Sequence, residues 1–271
     1  MGAVGISSRG SGNVGNGRDL PSYRVLGVPV TAATETDLVD LVTTAVDTGE
    51  RQIILSQNLH GVHTYLNDAE FRRLHDRPGM TIHIDGTPLI WAARLRRLPI
   101  RSEHRTGVID WICPVLNVAR NEGWRVYHLG GAEAELAEAL AMLAERYPGI
   151  SPKGHQGFFD TTAGSPEMQS VLSDIRRFKP DLLLIGMGMG RQEKWILDNM
   201  DLVDAPAIVT VGSVMKLLTG ELWTPPRWTG RLGIEWLFRF VQQPRATLWR
   251  YFVEPWQIAE ALVQERFALR P

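Results

Sequence analysis

Residues 181–195 read DLLLIGMGMGRQEKW. The apolar run Asp181–Ile185 is short and ends at Gly186. This predicts a fully buried strand rather than a helix. Gly186, Gly188 and Gly190 then recur at a spacing of two, and a polar cluster leads into a helix near Gln192–Asn199. Strand, glycine turn and helix in that order make a βα unit, the building block of a parallel sheet.

The same grammar repeats outward from this segment. Arg51–Ser56, Met80–Ile84, Trp124–Leu129 and Ala207–Val211 read as further strands, and Tyr23–Val30 as one near the start. Thr34 caps a helix through Asp47, with Asp37 completing a capping box. Helices follow Asn58, Pro88 (through Arg97) and Gly212 (through Leu218), and span Ile109–Asn121 and Ala132–Tyr147. The expectation is an α/β domain over residues 21–222, a mostly parallel sheet flanked by helices. Residues 1–20 are glycine- and serine-rich and read as a disordered tail. Residues 223–271 read as a helical appendage built on helices Gly233–Val241 and Pro244–Glu265.

Composition narrows the function classes. The chain has 271 residues, enough for a full core, and a formal net charge of −1. That balance gives no argument for a nucleic-acid partner. One cysteine, Cys113, excludes an intrachain disulfide framework and a Cys-rich zinc site, and a reducing cytoplasm is the simplest compartment. No apolar run reaches the ~18–20 residues that span a bilayer. Within the appendage, Arg227, Arg231, Arg239, Arg245 and Arg250 interleave with Trp228, Trp236 and Trp249. This suits either an anionic membrane surface or a helical pair docked on the core with its arginines wet.

In a parallel sheet, ligands sit beyond the carboxyl ends of the strands. Asp85 follows a strand and precedes Gly86, so it is either a general base or a cap for the next helix. Gly130-Gly131 opens a helix and suits phosphate approach or a plain turn. It lacks the G-x-G-x-x-G spacing of a dinucleotide site, which disfavours a nicotinamide oxidoreductase. In the segment Gly186–Trp195, Arg191 and Lys194 can neutralise phosphate and Gln192 can bond a sugar or a leaving oxygen. His60 and His63 can share a helix face, but no third metal ligand lies near them in sequence. No D-x-D element is present.

These residues, with His155–Phe159 and the run Gly230–Arg239 followed by Gln243-Pro244-Arg245, resemble the WecG/TagA/CpsF glycosyltransferases. The similarity runs from about Tyr23 to Trp256. The resemblance implies a Rossmann-like core and an inverting, metal-independent transfer. The sugar passes from a UDP-sugar to a saccharide on undecaprenyl diphosphate, in surface-polysaccharide assembly at the inner face of the cytoplasmic membrane. It makes Asp85 the base and gives Ser56 and Asn58 the places of the family's Thr-x-Asn motif. Gln192 becomes the motif glutamine, and Arg231 and Arg239 active-site arginines supplied by a membrane-touching appendage. Gly130, Gly131, Gly186, Gly188 and Lys194 complete the expected binding set. Two departures stand out. Either His104 or Arg105 takes the place of the family's arginine, and Lys216 stands where an aspartate contacts the nucleotide. The competing expectation is a membrane-associated nucleotide-sugar-binding protein without turnover.

Overall fold

A computed structural model describes residues 20–226, 229 and 234–260. The tail expected at residues 1–20 lies outside these, apart from Leu20. Six parallel strands form the sheet, in the order β4-β3-β8-β7-β5-β6. They are β3 (Gln52–Gln57), β4 (Met80–Ile84), β5 (Arg125–Gly130), β6 (Ser151–His155), β7 (Leu182–Gly186) and β8 (Ala207–Thr210). The α/β expectation is correct. Alternate residues of the buried strands point to opposite faces. Ile54, Val126, Leu184 and Val209 meet α1 (Glu35–Thr48), α5 (Val108–Glu122) and α6 (Glu133–Arg146) on one side. Leu55, Leu129, Leu183 and Ile208 meet α7 (Pro166–Phe178) and α8 (Arg191–Asn199) on the other.

Three expectations need correction. Tyr23–Val30 is not one strand but an antiparallel hairpin, β1 (Ser22–Val25) and β2 (Val28–Thr31). Leu26 and Gly27 take φ of 52° and 80°, the paired left-handed turn that matches strand twist. The hairpin lies along β4, where the Ile82 N–H donates to Thr31 Oγ1 at 3.1 Å. Further down that edge the Thr106 N–H donates to Ile84 O, and Ile84 bridges Arg105. Second, the sequence reading passed over α3 (Ala69–His75), α7 and β6. Third, the expected helix Pro244–Glu265 is interrupted at Val253: after α10 (Glu235–Gln242), α11 spans Pro244–Phe252 and 254–260 is again helical, while 233 and 261–265 lie outside the described residues.

α2 (Leu59–Asn67), α4 (Thr87–Leu95) and the hairpin enclose a third cluster around Val62, Tyr65, Leu89 and Ile90. Ile258 of the appendage is buried in it. The last described helix of the main body is α9 (Val214–Thr219). The backbone ladder between β3 and β8 ends at Ile54 and Val209. Beyond it the Ser56 N–H turns to the Thr210 hydroxyl at 3.0 Å.

Candidate active site

Two cavities open at the carboxyl edge of the sheet, one beyond β3 and β4 and one beyond β5, β7 and β8. The first measures about 390 Å³ and is lined by Asn58, Asp85, Trp91, Arg239, Arg250 and Tyr251, among others. Asp85 is positioned by its own backbone, whose N–H donates to Gln57 O at 2.8 Å. Its Oδ2 accepts from the Ser56 hydroxyl at 3.3 Å. The capping alternative is set aside: Gly86 is the N-cap of α4, with no side-chain cap bond. Asn58 caps α2, accepting from the Gly61 N–H at 3.1 Å and from Arg250 Nη2 at 3.3 Å.

The electrostatics of this cavity are opposed. Burial raises the Asp85 carboxyl above its ordinary range, while Arg239, Arg105, Arg250 and the Ser56 hydroxyl pull it down. Arg250 is itself lowered, chiefly by burial. The strand-edge bridge bears on the two candidates for the family's arginine position. It sets Arg105 beside Asp85, where it also reaches Glu235 at 3.3 Å and Asp110 at 3.9 Å. His104 is placed differently. It belongs to the one-turn helix Ser102–His104, and its Nδ1 accepts from the Arg101 N–H. Arg105, Arg239 and Arg250 thus sit among the carboxylates of Asp85, Asp110 and Glu235, a cluster close to charge balance.

The second cavity measures about 230 Å³ and is lined by His128, Gly131, Glu135, Gly186, Gly188, Gly212, Lys216 and Glu221, among others. Gly130 serves packing instead. At φ 159°, a Cβ there would collide with the Gly186 carbonyl, so only glycine lets β5 and β7 approach this closely. Lys216 pairs with both Glu135 and Glu221. That trio carries a net negative charge, which suits a base and ribose better than a phosphate.

Two side chains expected at the ligand from the glycine segment are held by protein partners. Lys194 is half exposed and held by Glu70 at 2.6 Å and Asp198 at 3.3 Å, and it lines neither cavity. Gln192 is buried, and its amide donates to Glu193 Oε1 at 2.7 Å rather than standing free for a leaving oxygen. Arg191 is likewise engaged, on Phe159 O at 2.7 Å. The sequence reading missed Glu193. Its Oε2 accepts from the Gly190 N–H at 2.6 Å, and burial pushes its carboxyl up to about 7. It also missed Arg250 as a site residue, along with Trp91 and Tyr251. Arg231 lies outside the described residues.

The appendage reaches the body through polar contacts as well. His60 meets Glu254 at 2.8 Å and His63 meets Gln257 at 2.8 Å. On its outer side, Trp223, Val241, Leu248, Trp249, Phe252 and Trp256 are exposed. Trp236 and Phe240 cross-pack against Tyr251 and Phe252. Among the described residues, no helix is long and apolar enough to cross a membrane.

Comparison with known proteins adds a second line of evidence. Residues 23–271 match the family model described as "Glycosyl transferase WecG/TagA/CpsF family". Several Staphylococcus aureus proteins, including those of strains NCTC 8325 / PS 47, COL and N315, are 30% identical over 155 residues. Each is named N-acetylglucosaminyldiphosphoundecaprenol N-acetyl-beta-D-mannosaminyltransferase. The aligned stretch covers 57% of this chain and 58% of each relative.

Proposed function

The chain belongs to the WecG/TagA/CpsF glycosyl transferase family, and we propose that it moves a sugar from a UDP-sugar onto an undecaprenyl-diphosphate-linked saccharide by inverting displacement. The observation that carries this reading is a partly buried carboxylate, Asp85, in a cavity with Arg105, Arg239 and Arg250 around it. An acceptor hydroxyl beside Asp85 gives its proton to the carboxylate. The same oxygen bonds the anomeric carbon as the bond from that carbon to the UDP oxygen breaks, which inverts the centre. A positioned base supplies about 10²–10⁴-fold in rate. The three arginines balance the charge on the diphosphates in place of a divalent cation.

The division of the two cavities supports a division of substrates. The negatively charged trio around Lys216 disfavours phosphate, so the base and ribose occupy the β5–β7–β8 cavity. The donor diphosphate then points toward the arginines, and the saccharide of the acceptor enters past Trp91. Because Lys216 stands where the family has an aspartate, the donor sugar is not fixed by the family name. The acceptor class follows the S. aureus relatives, whose name specifies a lipid-linked diphosphate of N-acetylglucosamine. The exposed aromatic side of α10 and α11 lies on the inner leaflet of the cytoplasmic membrane, making the protein peripheral there.

UDP release tests the reading. The full chain is incubated with a panel of UDP-sugars and a short-chain lipid-diphosphate N-acetylglucosamine analogue. Acceptor-dependent release from one donor is expected, unchanged by added magnesium, and Asp85→Asn should cut it by about 10²–10⁴-fold. Near-normal turnover in that variant removes Asp85 from the role. Binding of UDP-sugar with no release across the acceptor panel would favour a nucleotide-sugar-binding protein.

A further inference from the structure

The pair His60 and His63 on α2 has a third partner that sequence distance conceals. Glu254, 194 residues after His60, lies against them. One ligand atom from each of the three lies within 4.8 Å of the others. His60 Nδ1 contacts both Glu254 oxygens, at 2.9 and 2.8 Å. His63 Nε2 contacts Gln257 Oε1 at 2.8 Å.

We propose that His60, His63 and Glu254 form a binding site for a zinc-class dication, which staples the 254–260 helix to α2 at the rim of the Asp85 cavity. Two imidazoles three residues apart on a helix, plus one carboxylate, are the three-ligand set of a zinc site with one position left for water. Nitrogen and oxygen donors around tetrahedral zinc, each about 2.0–2.2 Å from the metal, stand roughly 3.4 Å from one another. Imidazole donors select zinc and its transition-metal neighbours over magnesium and calcium.

The surroundings favour a cation. Glu254 is 4% exposed, and a carboxylate that deep needs charge compensation. Its nearby cation, Arg250, is shared with Asn58 and Asp85. Gln257 then serves as hydrogen-bond partner to the water or ligand beside it, as outer groups commonly do. Zinc here would link two helices and touch no reacting atom, although His60 also lines the Asp85 cavity.

Zinc titration of the full chain, without sugar donor or acceptor, tests the proposal. One equivalent bound with micromolar or tighter affinity is expected, along with a zinc-dependent rise in melting temperature. His63 is partly exposed, so His63→Gln should fold normally while weakening zinc binding by more than about 10-fold and abolishing the melting shift. Glu254→Gln should do the same. The absence of a stoichiometric zinc, or a His63→Gln protein that binds zinc as tightly as the native chain, would overturn the site and leave a hydrogen-bonded clasp.

Discussion

Burial lifts the Asp85 carboxyl and the arginines draw it down, so the base strength of that group is set by a balance of neighbours. Net elevation means that the acid limb of kcat/KM should lie above the pH of an ordinary aspartate. Arg239 is the largest opposing charge. Arg239→Gln should therefore move that limb to higher pH, and a pH–rate profile with an unmoved limb would contradict it. Glu193 offers a stability counterpart. Its folded carboxyl titrates at about 7 against an ordinary 4.5, with burial as the leading cause. The folded state then binds more protons than the unfolded chain between those values. Its contribution is fully present below about pH 4.5 and is lost as pH rises through about 7, a change of about 3 kcal/mol. Urea unfolding across that range should show the loss in the native chain, and Glu193→Gln should lack it. None of this was legible from residue type alone. Glu193 reads as an ordinary first-turn acid until the structure buries it. Lys194 reads as a phosphate ligand until Glu70 claims it.

At the scale of elements, the apolar strands declared themselves because both of their faces are covered. β6 did not: its sequence, SPKGH, has no apolar run and it pairs only with β5 at the end of the sheet. α3 was hidden by Asp68, which ends α2 and caps α3 at the same residue. α7 carried a readable signal, Ser165 as cap and Pro166 at its start, that was passed over. The close packing of β5 on β7 makes its own prediction. Gly130→Ala should destabilise the fold by about 1–3 kcal/mol or more, measurable by denaturant unfolding, because backbone on both strands must shift. On the appendage, Trp249 and Trp256 are 56% and 77% exposed. Replacing both with serine should leave the melting temperature unchanged. Cosedimentation with anionic vesicles should fall about 10-fold or more per ring, at roughly 1.5–3 kcal/mol for a large apolar side chain.

Across the whole molecule, the local half of the site was legible from position, and of the distant half Arg239 was legible only through the family resemblance. Ser56 at the end of one strand, and Asn58 and Asp85 just past two, sit where position alone nominates them. Arg250 looked like one more basic residue on an amphipathic helix, because its partner Asn58 lies 192 residues away. A chain ending at Leu222 should keep the sheet and UDP-sugar binding, since two of the three apolar clusters lie before that point. It should lose lipid-acceptor turnover and melt lower, without Ile258 in the third cluster. Calorimetry and donor titration would check both. The hydrogen bond between Arg250 and Asn58 also bears on biosynthesis. At about 5–20 residues per second, a ribosome adds Arg250 some ten to forty seconds after Asn58. The sheet is complete only once β8 has been made, at Thr210, and the cavity around Asp85 only when Arg250 follows it. Translation therefore delays the completion of that cavity until the C-terminal helices have been made.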